Sequence, residues 1–82
     1  MLEALAVVAA HPGVGATGFA HFFWPDKHWQ RGGSNPASRH GGKMLWRLRD
    51  ADLVGFTWDR LSPWLYSAYI TPKGERLLAE QA

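Results

Sequence analysis

Six basic side chains fall in one acid-free segment that runs from Lys27 to Arg49. The rest of the chain has three Lys or Arg residues and seven Asp or Glu residues. Such a separation of charge is typical of a surface that binds a polyanion such as nucleic acid. A solvated basic loop is the alternative. Because the charge continues into a stretch with helical spacing, we favour the binding interpretation.

Other kinds of chemistry find little support in the residue types. The four histidines lack the spacing of a metal site, and there is no cysteine to complete one. The acids at Asp50 and Asp52 follow a helical stretch, where they are usually solvated, and no serine has an evident His or Asp partner. We therefore predict a protein that is not an enzyme and that uses no metal or cofactor.

The segment GVGATG at 13–18 matches the glycine pattern of dinucleotide-binding proteins. That pattern requires a strand before it and an acid about 20 residues later. Here the preceding segment has helical spacing, and the later segment is the acid-free one. A turn between two helices is the better interpretation.

The chain has 82 residues, which predicts one small domain spanning 1–82. The absence of cysteine fits a reducing, cytoplasmic setting. No apolar run approaches the roughly 20 residues that span a bilayer. The first residues, MLEALAVVAA, lack a basic start and predict a short core helix rather than a signal peptide.

The periodicity of the sequence predicts a fold that is mainly α with a small β-hairpin, an α+β class. Thr71 is expected to cap the last helix, with Pro72 as its first residue. The predicted elements are helices at about 2–10, 16–24 and 38–51, a hairpin at about 54–70 and a short helix at 72–80.

The C-terminal half, LWRLRDADLVGFTWDRLSPWLYSAYITPKGERLLAE, resembles the winged helix-turn-helix domains of MarR- and PadR-like regulators. In those families the third helix ends in a pattern like L-x-x-L-x-x-x-G-L-V, and Asp52 stands here where the glycine is usual. The hairpin ends in a pattern like Y-x-L-T-x-x-G-x-x-x-L, which Thr71, Gly74 and Leu78 fit. The segment HPGVGATGFAHFFWP is similar to the first two helices of such domains, so the resemblance covers most of the chain.

The sequence departs from that pattern in three places. The segment at 25–43, between the second and third helices, is longer than the usual short turn. Gly41 and Gly42 lie where the third helix should begin, either inside it or just before it. The long dimerisation helices of MarR-like proteins are missing, so the oligomeric state does not carry over, and a homodimer stays open.

The resemblance implies sequence-specific binding of double-stranded DNA by the third helix, in a small bacterial or phage transcriptional regulator. The apolar stripe of this helix, which includes Leu45 and Leu48, would face the core. The residues expected to contact DNA are Arg39, His40, Lys43 and Arg47 on the opposite side, Arg31 and Ser38 before or at the helix start, and Arg60 near the tip of the hairpin.

The aromatic content supports a rival interpretation. Five tryptophans are many for a chain of this length. Trp58 is expected in the core and Trp46 against a neighbouring helix. In contrast, Trp29, Trp64 and Leu65 fall in predicted loops and form a possible interface. The alternative function is therefore a winged-helix adaptor that binds protein, with weak or non-specific binding of nucleic acid.

Overall fold

The computed structural model describes residues 2–27, 36–61 and 65–81. These residues form four helices and one two-stranded antiparallel hairpin, so the predicted fold class is confirmed. None of the helices in these ranges is long and apolar enough to cross a bilayer. The elements in chain order are α1 (Leu2–Ala10), α2 (Ala16–Phe23), α3 (Pro36–Asp50), β1 (Val54–Trp58), β2 (Tyr66–Ile70) and α4 (Pro72–Gln81).

The third helix begins earlier than its sequence predicts, at Pro36 rather than at about Ser38. Proline suits the first position of a helix, because its fixed φ is helical and its missing N–H would have no partner there. Gly41 and Gly42 therefore lie inside α3, which decides between the two placements that the sequence left open.

The hairpin of β1 and β2, called the wing below, gains a third partner from the turn between α1 and α2. Val14 forms a β-bridge with Ala68. The N–H of Gly13 donates to the Ala68 carbonyl at 2.9 Å, and the N–H of Ala68 donates to the Val14 carbonyl at 2.8 Å. Gly13 has φ of 84°, a conformation that glycine adopts without steric cost. The first half of GVGATG is thus a turn that joins the wing, and its second half, from Ala16, begins α2.

The core lies where the first three helices meet the base of the wing. Its largest fully buried side chains are Phe19, Leu5, Leu45, Leu48, Val8 and Val54. Burial of each large apolar side chain contributes roughly 1.5–3 kcal/mol before the entropic cost of folding is counted. The two leucines of α3 belong to this set, so one side of α3 is held in the core and the other side is left to solvent.

The end of α3 is closed by a Schellman motif. The N–H of Leu53 donates to the Leu48 carbonyl and that of Asp52 to the Arg49 carbonyl, both at 2.9 Å. Asp52 has φ of 64°. This left-handed conformation normally favours glycine, which explains why glycine is usual at this position of the pattern.

The start of α4 packs against the end of α3. Thr71 caps α4 as predicted, because its Oγ1 accepts the N–H of Gly74 at 3.1 Å. The same hydroxyl donates to the Asp52 carbonyl at 2.7 Å, and Lys73 Nζ donates to the Ala51 carbonyl at 3.0 Å. A Cβ at Gly74 would collide with the Leu53 carbonyl oxygen, so the glycine permits this close approach.

Candidate nucleic-acid interface

The position of α3 depends on its close contact with α2. A Cβ built on Gly41 would collide with the Ala16 carbonyl oxygen and would lie 3.3 Å from the Cβ of Ala20. Gly41 is buried at this crossing. The glycine therefore lets two helices meet, and it does not present its backbone to a phosphate.

The exposed side of α3 carries a row of cations. Arg39, Lys43 and Arg47 are four residues apart, so they line up along one face of the helix, and all three are exposed. His40 is also exposed, and its ring meets that of Trp24 edge-on with centroids 6.5 Å apart. We call Arg39, His40, Lys43 and Arg47 the basic face. It lies opposite the buried Leu45 and Leu48, as the sequence predicted.

Two further predicted DNA contacts, Ser38 and Arg60, fall among the described residues outside this face. Ser38 is half-buried and lines a shallow cleft formed by the first turn of α2 together with Leu65 and Tyr66. Arg60 is exposed just after β1. The turn at Arg60 is shaped by Asp59, whose Oδ1 accepts the N–H of Leu61 at 2.9 Å.

Three of the predicted site residues, Arg31, Trp29 and Trp64, lie outside the described residues. The remaining predicted interface residue, Leu65, is 56% exposed at the far end of the wing.

Aromatic rings fill the angle between α3 and the wing, and two of them lie where the sequence did not predict. Trp46 packs edge-on against Phe56 and Tyr66 of the wing, with centroids 5.2 and 6.3 Å away, rather than against a helix. Trp58 is 49% exposed and is not a core residue. The register pairs it with Tyr66 at the end of β1, beyond the part of the wing that covers the core. We call Trp46, Phe56, Trp58 and Tyr66 the aromatic cluster.

Arg49 joins the aromatic cluster to the cationic side of α3. Its Cζ lies 4.8 Å from the ring centroid of Trp46 and 5.5 Å from that of Phe56. A cation over an aromatic face is stabilised by about 0.5–1 kcal/mol at exposed sites. The guanidinium is therefore held on the wing side of the basic face.

Burial within the cluster also affects the Tyr66 phenol. Desolvation raises the pKa of Tyr66, and a hydrogen bond with the Trp46 side chain partly offsets this rise. The phenol is thus neutral at physiological pH and can take part in hydrogen bonding without the cost of burying a charge.

Arg49 is not among the residues that the sequence predicts to contact DNA. The spacing of Trp46 and Arg49, three residues apart on a helix, puts the two side chains next to each other. That spacing could have indicated the contact within α3. The contribution of Phe56 depends on how the wing folds back on α3, which helical spacing does not encode.

The comparisons with known proteins support the fold. A crystal structure of MarR aligns with 95% of this chain at a TM-score of 0.68 and 20% sequence identity. The chain covers 46% of the MarR chain, so it spans about half the length of that protein. The predicted winged-helix architecture, similar to that of MarR, is confirmed. No protein-family model matches the chain, and no curated protein matches it in sequence.

Proposed function

We propose that this chain binds double-stranded DNA in a sequence-specific manner through the basic face of α3, as a small transcriptional regulator does. The observation that carries the proposal is the row of Arg39, Lys43 and Arg47 on the exposed side of a helix whose other side is fixed in the core. A single α-helix fits the major groove of B-DNA, where base edges can be distinguished.

The residue types of the basic face suit both kinds of contact that such a complex needs. An arginine can bind guanine with two hydrogen bonds, which makes Arg39 the preferred candidate for reading a base. Lys43 and Arg47 can contact bases or hold phosphates, and phosphate contacts position the protein on the duplex. We assign Ser38, Arg31 and Arg60 to the phosphate backbone or the adjacent minor groove.

The proposal is for a binding protein, without catalysis, metal or cofactor. A bacterial or phage origin and a cytoplasmic location are part of the same proposal, since a regulator must reach the DNA that it controls.

The test is a titration of labelled mixed-sequence duplex at several salt concentrations. If four to six phosphates are neutralised, the log–log slope of affinity against salt should be roughly −4 to −5, because each contact releases condensed counterions. The double variant Lys43→Ala/Arg47→Ala should bind several-fold more weakly, and its slope should be less steep by about 2 if both side chains hold phosphates.

The variant Arg76→Glu is the matched control, because it changes the net charge by the same amount on α4, away from the basic face. It should bind almost as the parent does, and all three proteins should melt at nearly the same temperature. If Arg76→Glu weakened duplex binding equally, the weaker binding of the double variant would be explained by net charge alone. Absence of duplex binding at low salt would reject the proposed function.

A second candidate function is contact with protein through the tip of the wing. Leu61 is 89% exposed and Leu65 is 56% exposed, and exposed apolar surface of this kind is typical of interfaces. The partner would be a second copy of this chain or another protein. Binding of another protein would make the chain an adaptor.

A further inference from the structure

Trp58 presents an aromatic surface that the core does not use. It lies on the inner side of the wing, paired with Tyr66, and 49% of it is exposed. Its ring meets Phe56 at 83° and Tyr66 at 60°, with centroids 6.2 and 5.3 Å away. Both contacts are inclined, so these neighbours fix the ring and leave aromatic surface open to solvent.

The rings behind Trp58 form a firm support. Phe56 and Tyr66 stack with centroids 4.4 Å apart and an angle of 24°. Trp46 meets both rings edge-on, and it belongs to α3. Each such aromatic contact adds about 0.5–1.5 kcal/mol to the burial of the rings. Trp58 is therefore supported by α3 and is not carried on the wing alone.

A cation lies over one of the rings that support Trp58. The Arg49 guanidinium lies 5.5 Å from the Phe56 ring, and Phe56 in turn contacts Trp58. On the surface of α3, Trp46 lies between Arg49 and the basic face. Aromatic rings that alternate with cations along a surface are typical of sites where nucleobases stack and phosphates are held.

We propose that Trp58 stacks on an unpaired nucleobase while Arg49 holds the phosphate of the same strand. This inference rests on the proposed function and adds a ligand to it. Bases inside an intact duplex are already stacked on each other, and extruding one costs a few kcal/mol. The chain should therefore prefer a duplex that contains unpaired nucleotides over one that is fully paired.

The test compares two labelled duplexes of the same sequence, one fully paired and one with an internal run of unpaired thymidines. The parent should bind the second duplex about tenfold more tightly, the gain expected for one stacked base. Trp58→Ala should lose this preference while it still binds the paired duplex as the parent does. Trp58→Phe should keep most of the preference, because it retains a ring.

Leu61→Ala is the matched control, since it removes an exposed apolar side chain from the same wing and should keep the full preference. Equal affinity of the parent for the two duplexes would overturn the inference and leave duplex binding intact. A preference that survives Trp58→Ala would also overturn it. So would a loss of self-association in Trp58→Ala without a change in preference, which would assign the ring to protein contact. Failure to bind either duplex would reject the proposed function itself.

Discussion

Among single residues, Asp52, just after α3, bears a conformational cost that the residues of the helix do not. Its φ of 64° brings the Cβ of an L-residue close to the neighbouring carbonyl. Its carboxylate also lies at the C-terminal end of a helix, where negative charge is unfavourable. The backbone carbonyl of Asp52 accepts the Thr71 hydroxyl, and that bond does not depend on the side chain.

We expect Asp52→Gly to raise the free energy of unfolding by about 0.5–1 kcal/mol, because glycine adopts this conformation freely. Thermal denaturation would show this as an increase in melting temperature of a few degrees for a domain of this size. Asp52→Ala is the control, since alanine removes the same carboxylate but keeps the Cβ, and it should melt below Asp52→Gly. A melting temperature of Asp52→Gly below that of the parent would contradict the explanation.

Trp58 shows why the burial of a single side chain could not be predicted from the sequence. The alternation of side chains in a strand correctly places it on the inner side of the wing. Whether that side is covered depends on how far the core extends, and the core ends near Phe56 and Ala68. Trp46 was misplaced for a related reason, since its neighbour is set by the way the wing folds back.

At the scale of elements, the helices and strands follow local patterns and could be predicted. Apolar spacing indicated each helix, and the cap formed by Thr71 indicated the start of α4. The start of α3 could not be predicted in the same way. Two glycines in a row disfavour a helix by up to about 1 kcal/mol each. The contact of Gly41 with Ala16 and Ala20 outweighs this cost, and that contact joins residues far apart in the sequence.

The crossing of α2 and α3 gives a prediction for Gly41→Ala. Alanine is the better helix former, so a free helix would gain about 1 kcal/mol. Here the new methyl group would collide with backbone of α2, and overpacking of this kind costs typically 1–3 kcal/mol. We expect a net loss of stability, measured as a lower midpoint of urea denaturation.

Gly42→Ala provides the comparison for this prediction. Its Cβ would lie 3.3 Å from the Tyr66 hydroxyl, at the end of a side chain that can shift slightly. This variant should be as stable as the parent or more stable. If Gly41→Ala were also neutral, α3 would not be held against α2 as closely as described.

The candidate site combines predictable and unpredictable parts. The basic face follows from helical spacing, because Arg39, Lys43 and Arg47 must lie opposite Leu45 and Leu48 on any straight helix. The position of Arg49 over Trp46 and Phe56 depends on the angle between α3 and the wing. The spacing of residues in a single sequence does not determine that angle.

At the scale of the whole molecule, the number of chains that act together would determine the geometry of the proposed contact with DNA. A dimer would present two basic faces to one duplex, and the spacing of its half-sites would follow from the symmetry. The wing tip, with Leu61 and Leu65 exposed, is the described surface that best suits self-association.

Self-association through the wing tip predicts that the sedimentation coefficient of the parent rises with protein concentration. The double variant Leu61→Ser/Leu65→Ser should then sediment as a monomer throughout, because it removes the apolar surface that the contact buries. The control is Phe22→Ser, which removes an exposed side chain on α2. Val7 is not a suitable control site, because it packs against the core. Identical monomeric behaviour of the parent and the double variant would reject the wing dimer.

The bridge between Val14 and Ala68 has a consequence for how the wing behaves in a crowded solution. It makes β2 the central strand, with Val14 on one side and β1 on the other. Among the described residues, β1 therefore pairs with a strand on one side only and forms an edge of the sheet. An exposed edge of this kind invites aggregation unless it is short or charged. β1 has five residues and is followed at once by Asp59 and Arg60. Another strand could therefore pair with only a few backbone groups, and the two charged side chains would disfavour its extension.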